Sequence, residues 1–218
     1  VAHNVKNPLS SMKTLMQLWG ESDNLTEEQR REVSMMIAEV DRLSDTVTSL
    51  LRFSRLEKEG KRGPGSQQVE LLGLLQKVAG LFRGDIASRQ LSLTVAARPR
   101  DAGVSSNRGA LEEVLGNLLG NAVEACKAGD EIALEAQVEH NRWWIRVRDN
   151  GRGIPSSIRP QLFEPFVSDK SKGTGLGLAI VKQQVERLGG RVELEPSQRG
   201  ASFLLVFPED GKHEDTDR

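Results

Sequence analysis

Residues 173–180, Gly173-Thr174-Gly175-Leu176-Gly177-Leu178-Ala179-Ile180, set three glycines at alternate positions directly ahead of an apolar helical run. Glycines so spaced let the backbone wrap an anion, and the helix start behind them presents free amides and partial positive charge. A flexible linker is the plain alternative, but glycine-rich linkers rarely lead into an apolar helix. A lone glycine loop is weak evidence, so the weight rests on what surrounds it.

Upstream, Arg148-Asp149-Asn150-Gly151-Arg152-Gly153-Ile154-Pro155 follows an alternating run that reads as a strand. Asp-Asn-Gly on its own is a turn, with Gly151 and Gly153 supplying positive φ. A carboxylate at a strand end beside glycines is also suited to accept a hydrogen bond from the exocyclic amine of a purine, the alternative role of Asp149. About twenty residues separate the two glycine clusters, Phe163, Glu164, Pro165, Phe166, Ser168, Lys170 and Lys172 among them. That length suits a mobile lid better than an ordinary connection. Further back, Asn117 and Asn121 share one face of an expected helix over 109–127, flanked by Leu115, Leu118, Leu119 and Val123. Amides among apolar residues are costly to bury unsatisfied. They read either as capping or core amides, or as paired carbonyl donors to a hard cation such as Mg²⁺.

Around these motifs the periodicity is mixed. Helices are expected over 71–82 and 176–188, the latter stopped by Gly189-Gly190, and alternating strands over 91–95, 132–138, 144–147, 192–194 and 203–207. This is the texture of an α+β sandwich, helices packed on one face of a sheet. The first sixty residues differ. Val5, Leu9, Met12, Met16 and Trp19 draw one helical stripe, and Val33, Ile37, Val40, Leu43 or Ser44, Val47, Leu50 and Leu51 draw a second after a break at Gly20 to Asn24. Thr26-Glu27-Glu28-Gln29 reads as the capping box that opens the second run. Two such helices form an antiparallel hairpin that cannot close a core alone, so pairing with a second copy into a four-helix bundle is expected. The boundaries follow: a hairpin over 1–60, a polar glycine- and proline-containing linker over 61–68, an α+β unit over 69–209 and a charged, disordered tail over 210–218.

Composition sets the outer limits. Of 218 residues 37% are apolar and 28% charged, enough to bury a core. Thirty basic against 31 acidic residues leave a formal charge of -1, which marks no general affinity for nucleic acid or anionic membrane. One cysteine, Cys126, excludes an internal disulfide and favours a reducing compartment. No window approaches the roughly 20 apolar residues of a membrane helix.

In this order the pieces resemble the catalytic core of a bacterial sensor histidine kinase of two-component signalling. His3-Asn4-Val5-Lys6-Asn7-Pro8-Leu9 is similar to the H box, Asn117-Leu118-Leu119-Gly120-Asn121-Ala122 to the N box, and Asp149-Asn150-Gly151-Arg152-Gly153 to the first glycine box. Leu162-Phe163-Glu164-Pro165-Phe166 resembles the F box and Gly173-Thr174-Gly175-Leu176-Gly177-Leu178 the second glycine box. Any one is weak; five in family order are strong.

The resemblance implies a dimerising hairpin that carries the phosphoacceptor and a Bergerat-type ATP-binding sandwich. It implies that Asn117 and Asn121 hold Mg²⁺ and the phosphates, Asp149 reads the adenine amine, and Gly151 and Gly153 permit close approach. Thr174 and Gly173, Gly175, Leu176 and Gly177 then line the phosphates under a lid that includes Lys170. His3 becomes the acceptor of the γ-phosphoryl group of ATP, and a response-regulator receiver aspartate the next acceptor. The family usually has an acidic residue after the histidine; Asn4 orients the ring without the charge, which implies slow autophosphorylation. Asn7 matches the position that orients water for receiver dephosphorylation, which implies a phosphatase activity as well. Only Val1 and Ala2 precede His3, so the chain reads as an excised cytoplasmic core, with sensor region and any membrane anchor lying outside it. Two other readings compete. An ATP hydrolase of the same superfamily carries a glutamate four residues before the metal-binding asparagine, where this chain has Asn117; Glu113 lies another turn away and is a less suitable base, and Glu113 and Glu124 read as mainly solvated or as supports behind the site. A catalytically silent dimeric scaffold is the other.

Overall fold

The computed structural model describes residues 2–22, 24–59, 65–169 and 173–208, except for the side chains of 2–6 and 55–59. Two long helices come first, α1 (Ala2–Gly20) and α2 (Glu27–Glu59). The expected capping box opens α2: Gln29 N–H donates to Thr26 Oγ1 at 3.2 Å and Thr26 N–H to Gln29 Oε1 at 2.9 Å, so two amides without helical partners are satisfied reciprocally. The helices run antiparallel, with Val33 and Val40 buried between them and Lys13 Nζ bridging both oxygens of Asp41 at 2.7 and 2.8 Å. Much of the apolar stripe stays uncovered. Met12, Leu15, Leu18 and Trp19 of α1 and Met35, Met36, Leu43 and Leu50 of α2 are exposed.

The second unit begins with β1 (Gln67–Glu70), which pairs antiparallel with β3 (Gly103–Ser106). Between them lie α3 (Leu71–Leu81), α4 (Arg83–Ser88) and β2 (Ser92–Arg98). Then follow α5 (Arg108–Ala125), the hairpin β4 (Glu131–Glu139) and β5 (Arg142–Asp149), α6 (Gly177–Arg187), β6 (Arg191–Leu194) and β7 (Ser202–Pro208). The main sheet has the order β2-β4-β5-β7-β6, parallel at β2/β4 and antiparallel elsewhere. Register puts Ile132, Leu134 and Ala136 of β4, Trp143, Ile145 and Val147 of β5, and Phe203, Leu205 and Phe207 of β7 on one buried face. Helices α3, α5 and α6 cover that face, and Trp143 stacks on its register partner Phe207 with centroids 4.0 Å apart. The other face is polar: Arg146 joins Glu195 bidentately at 2.8 and 2.9 Å and lies over Trp144. One buried and one solvated face is the ordinary condition of an antiparallel sheet beside a helical layer.

Three elements went unread in the sequence. β1 opens at Gln67, inside the stretch expected as linker, and β3 is four residues long; each offers too few alternations to register as a strand. α4 buries no side chain, so it leaves no apolar stripe. The expected tail over 210–218 and linker residues 61–64 fall outside the described residues.

Candidate functional site

α5 is the element that decides the site. Asn107 caps it, Oδ1 accepting from Ala110 N–H at 2.8 Å. Leu111, Val114, Leu115, Leu118, Leu119, Ala122 and Val123 bury most of its circumference. The strip left over carries Glu113, Asn117, Asn121 and Glu124, three or four residues apart and hence on one face. Asn117 Nδ2 donates to the carbonyl of Glu113 at 3.0 Å, which leaves Oδ1 as its available end. That oxygen lies beside the first residue of α6, where a Cβ on Gly177 would approach it to 3.4 Å.

Asp149 ends β5 with 4% of its surface exposed. Its Oδ1 accepts from Gly151 N–H at 2.9 Å and Ala201 N–H at 3.3 Å. Burial raises the carboxyl above its ordinary value, and the two amides pull against that shift. Gly151 is compelled rather than permissive: a Cβ there would come within 2.5 Å of the carbonyl of Ala125 at the end of α5. Under this turn lies Cys126, buried, its thiol pushed up to about 11 by that burial and so inert at neutral pH.

The glycine loop ahead of α6 has Gly175 at φ +67°, where a Cβ would strike the backbone of Phe166 at 2.4 Å. Phe166 N–H donates to Gly175 O at 2.9 Å, and Thr174 Oγ1 accepts from Leu176 N–H at 3.3 Å. The segment expected as a mobile lid is anchored over its first half: Leu162 is buried and Phe163 packs edge-on against Phe203, centroids 6.3 Å apart. Arg152 reaches Asp169 at 3.3 Å, and Lys170 lies outside the described residues.

These stretches meet at one cavity of about 350 Å³, within the ~300–1,000 Å³ usual for small-ligand sites. Asn117, Asn121, Asp149, Gly153, Gly173, Thr174, Gly175 and Gly177 all line it. Two sequence candidates do not: Leu176 is fully buried in the core and Gly151 packs against α5. His3 and Asn4 fall on the first turn of α1 with side chains outside the described set, while Asn7 is exposed on the next turn. Sequence reading missed two contributions. Ile154, Ile158, Leu162 and Phe203 form an apolar wall suited to a flat ring, and Arg42, Asp45 and Ser49 of α2 close the other side. The first left a trace as apolar residues after the glycine box; the second is a docking of distant segments that no local pattern signals.

The lining has the donor set that a nucleotide and Mg²⁺ require. Carboxamide and carboxylate oxygens suit a hard cation. The glycine turn and helix start suit phosphates, and Asp149 keeps Oδ2 for a donor while Oδ1 is engaged. The residues fit.

Comparison with known proteins agrees with this geometry. Residues 1–59 match the family model of the His Kinase A (phospho-acceptor) domain, and residues 106–211 that of the Histidine kinase-, DNA gyrase B-, and HSP90-like ATPase. The sensor histidine kinase ZraS of Klebsiella oxytoca is 34% identical over 222 residues, covering 99% of this chain and 46% of that protein. The signal transduction histidine-protein kinase AtoS of Escherichia coli is 31% identical over 213 residues, covering 95% and 34%. Among solved structures, full-length ShkA in complex with AMPPNP superposes with a TM-score of 0.79 at 28% identity, over 95% of this chain and 44% of that one. The chain belongs to the sensor histidine kinases, as their catalytic core. It spans less than half the length of these curated relatives.

Proposed function

We propose that the chain is a protein-histidine kinase core that binds ATP in the cavity and transfers the γ-phosphoryl group to a ring nitrogen of His3. The group then passes to an aspartate of a response-regulator receiver domain. The observation that carries this reading is the meeting of Asn117 and Asn121, Asp149 and Gly153, and Gly173, Thr174, Gly175 and Gly177 at one cavity whose outer wall is α2 of the phosphoacceptor hairpin. Donor site and acceptor helices are thereby adjacent.

Asp149 Oδ2 accepts from the adenine amine, with the ring against Ile154, Ile158 and Phe203. Gly173, Thr174, Gly175 and the start of α6 hold the phosphates through backbone amides. Asn117 and Asn121 hold Mg²⁺, which neutralises phosphate charge when bound. As the nitrogen–phosphorus bond forms, the bond from the γ-phosphorus to the β–γ bridging oxygen breaks and ADP leaves. Such transfer needs positioning more than covalent chemistry from the protein. A neutral imidazole is the nucleophile, and a histidine pKa of roughly 6.5 supplies one near neutral pH. Asn4 orients the ring without a charge to stabilise its developing cation. Asn7 orients water on the receiver, giving phosphatase activity.

Hairpin residues 1–60 dimerise with a second copy, residues 69–209 bind nucleotide, and the core works in the cytoplasm. The exposed apolar stripes of α1 and α2 support the dimer, and no described helix is long and apolar enough to cross a membrane. Asn117 in place of a water-activating glutamate argues against a hydrolase. The test is incubation with Mg²⁺ and γ-labelled ATP. Acid-labile label should appear on His3 and vanish in His3→Gln. Free phosphate without protein label means a hydrolase, and neither means a scaffold. With the receiver present, Asn7→Ala should slow dephosphorylation; an unchanged rate removes the phosphatase assignment.

A further inference from the structure

The Lys13–Asp41 bridge fixes the axial register of the hairpin. Counting ten residues back from Lys13 along α1 reaches His3, and ten forward from Asp41 along the antiparallel α2 reaches Leu51. Arg52, the next residue, therefore leaves α2 at the height of the phosphoacceptor. Its Nη1 donates to Glu113 Oε1 on α5 at 3.0 Å. Glu113, expected to be either mainly solvated or a support behind the site, is engaged on three sides. Its Oε2 accepts from Gln184 Nε2 of α6 at 3.0 Å, and its carbonyl accepts from Asn117 Nδ2 at 3.0 Å. One acidic residue thus touches the hairpin, the helix behind the glycine loop and the asparagine assigned to the metal.

The Arg52 side chain is 60% exposed and that of Glu113 22%. A pair so wet contributes little to folding, but it is well placed to set which part of the hairpin faces the nucleotide. We propose that Arg52 and Glu113 are positioning residues for phosphoryl transfer: their ion pair clamps the His3 level of the hairpin against α5. This rests on the kinase reading and deepens it. Positioning is a large part of the barrier in such reactions, so an orienting contact remote from the reacting atoms still registers in the rate.

The experiment is a charge-reversal cycle on the full chain. Arg52→Glu sets like charges together and should lower kcat of autophosphorylation about fivefold or more, near the upper end of what an exposed pair supports. KM for ATP and the Kd of a fluorescent ATP analogue should stay within about twofold, because neither residue lines the nucleotide cavity. Glu113→Arg should behave alike, and the double swap Arg52→Glu/Glu113→Arg should recover most of the loss. Arg52→Gln, which leaves α5 untouched, serves should Glu113→Arg fail to fold: its kcat should fall, and added salt should slow the wild type more than this variant. An unchanged kcat in Arg52→Glu, a double swap no better than the worse single, or a loss that appears in nucleotide Kd overturns the proposal. If the wild type itself places no label on His3, the kinase reading fails first, which is a distinguishable result.

Discussion

Asp149 is almost wholly buried, and its ionised form is held by two backbone amides on one oxygen only. Burial raises the carboxyl above the ordinary value. A carboxyl raised in the folded state costs stability where it is ionised, above that shifted value, and the cost disappears below its unfolded value, where both states hold the proton. Asp149→Asn should therefore melt at a higher temperature than the wild type at neutral pH, with the gap closing as the pH is lowered through the carboxylate range. Its Oδ1 still accepts both amides, but Nδ2 then meets the adenine amine donor to donor, so nucleotide affinity should fall by about a hundredfold or more, a penalty of ~3 kcal/mol for an unpaired buried group. Calorimetry and a nucleotide titration on one preparation read both effects. A variant that loses stability, or keeps its affinity, contradicts the assignment. The sequence offered this residue because a strand end followed by glycines is a local pattern. It could not offer Ala201, whose amide arrives from the residue just before β7, 52 positions further along the chain.

Among elements, α5 and the glycine loop show how differently two glycines act. Gly116 lies mid-helix with nothing within 4 Å of where its Cβ would stand, whereas Gly175 sits at φ +67° with the Phe166 backbone 2.4 Å away. Gly116→Ala should stabilise the protein by about 0.5–1 kcal/mol, the usual gain in a helix interior, with nucleotide affinity unchanged. Gly175→Ala should break the Phe166–Gly175 hydrogen bond and weaken nucleotide binding by at least tenfold while secondary structure measured by circular dichroism stays intact. Equal effects at the two sites would refute the difference in backbone environment. The long helices were legible because a 3.6-residue stripe needs only its own sequence; α5 was legible from its leucines and its paired asparagines. The short strands β1 and β3 were not, since four residues hold barely two alternations. Nor was the anchored half of the lid, because what Phe163 packs against is the distant strand residue Phe203.

At the scale of the molecule, the hairpin leaves Leu15, Leu18, Met35 and Met36 largely in water, more apolar surface than one antiparallel pair of helices can hide. Leu18→Asp should shift the protein from dimer to monomer in sedimentation experiments without loss of helical signal; a dimer of unchanged strength would place the contact elsewhere. The two-part architecture was readable from the change of period between the halves, since each half is patterned by local burial. Their mutual docking was not, because the Arg52–Glu113 pair and the α2 wall of the cavity join side chains with no shared periodicity. Arg42, Asp45 and Ser49 belong to a rod, α2, that also carries the exposed apolar residues Met35, Met36, Leu43 and Leu50. Spaced three and four apart, they share one face of the helix, so a twist of that rod about its long axis should move all three relative to the cavity together and change its affinity for ATP. Reciprocity makes the traffic two-way: a bound nucleotide resists the twist by the same free energy with which the twist resists the nucleotide.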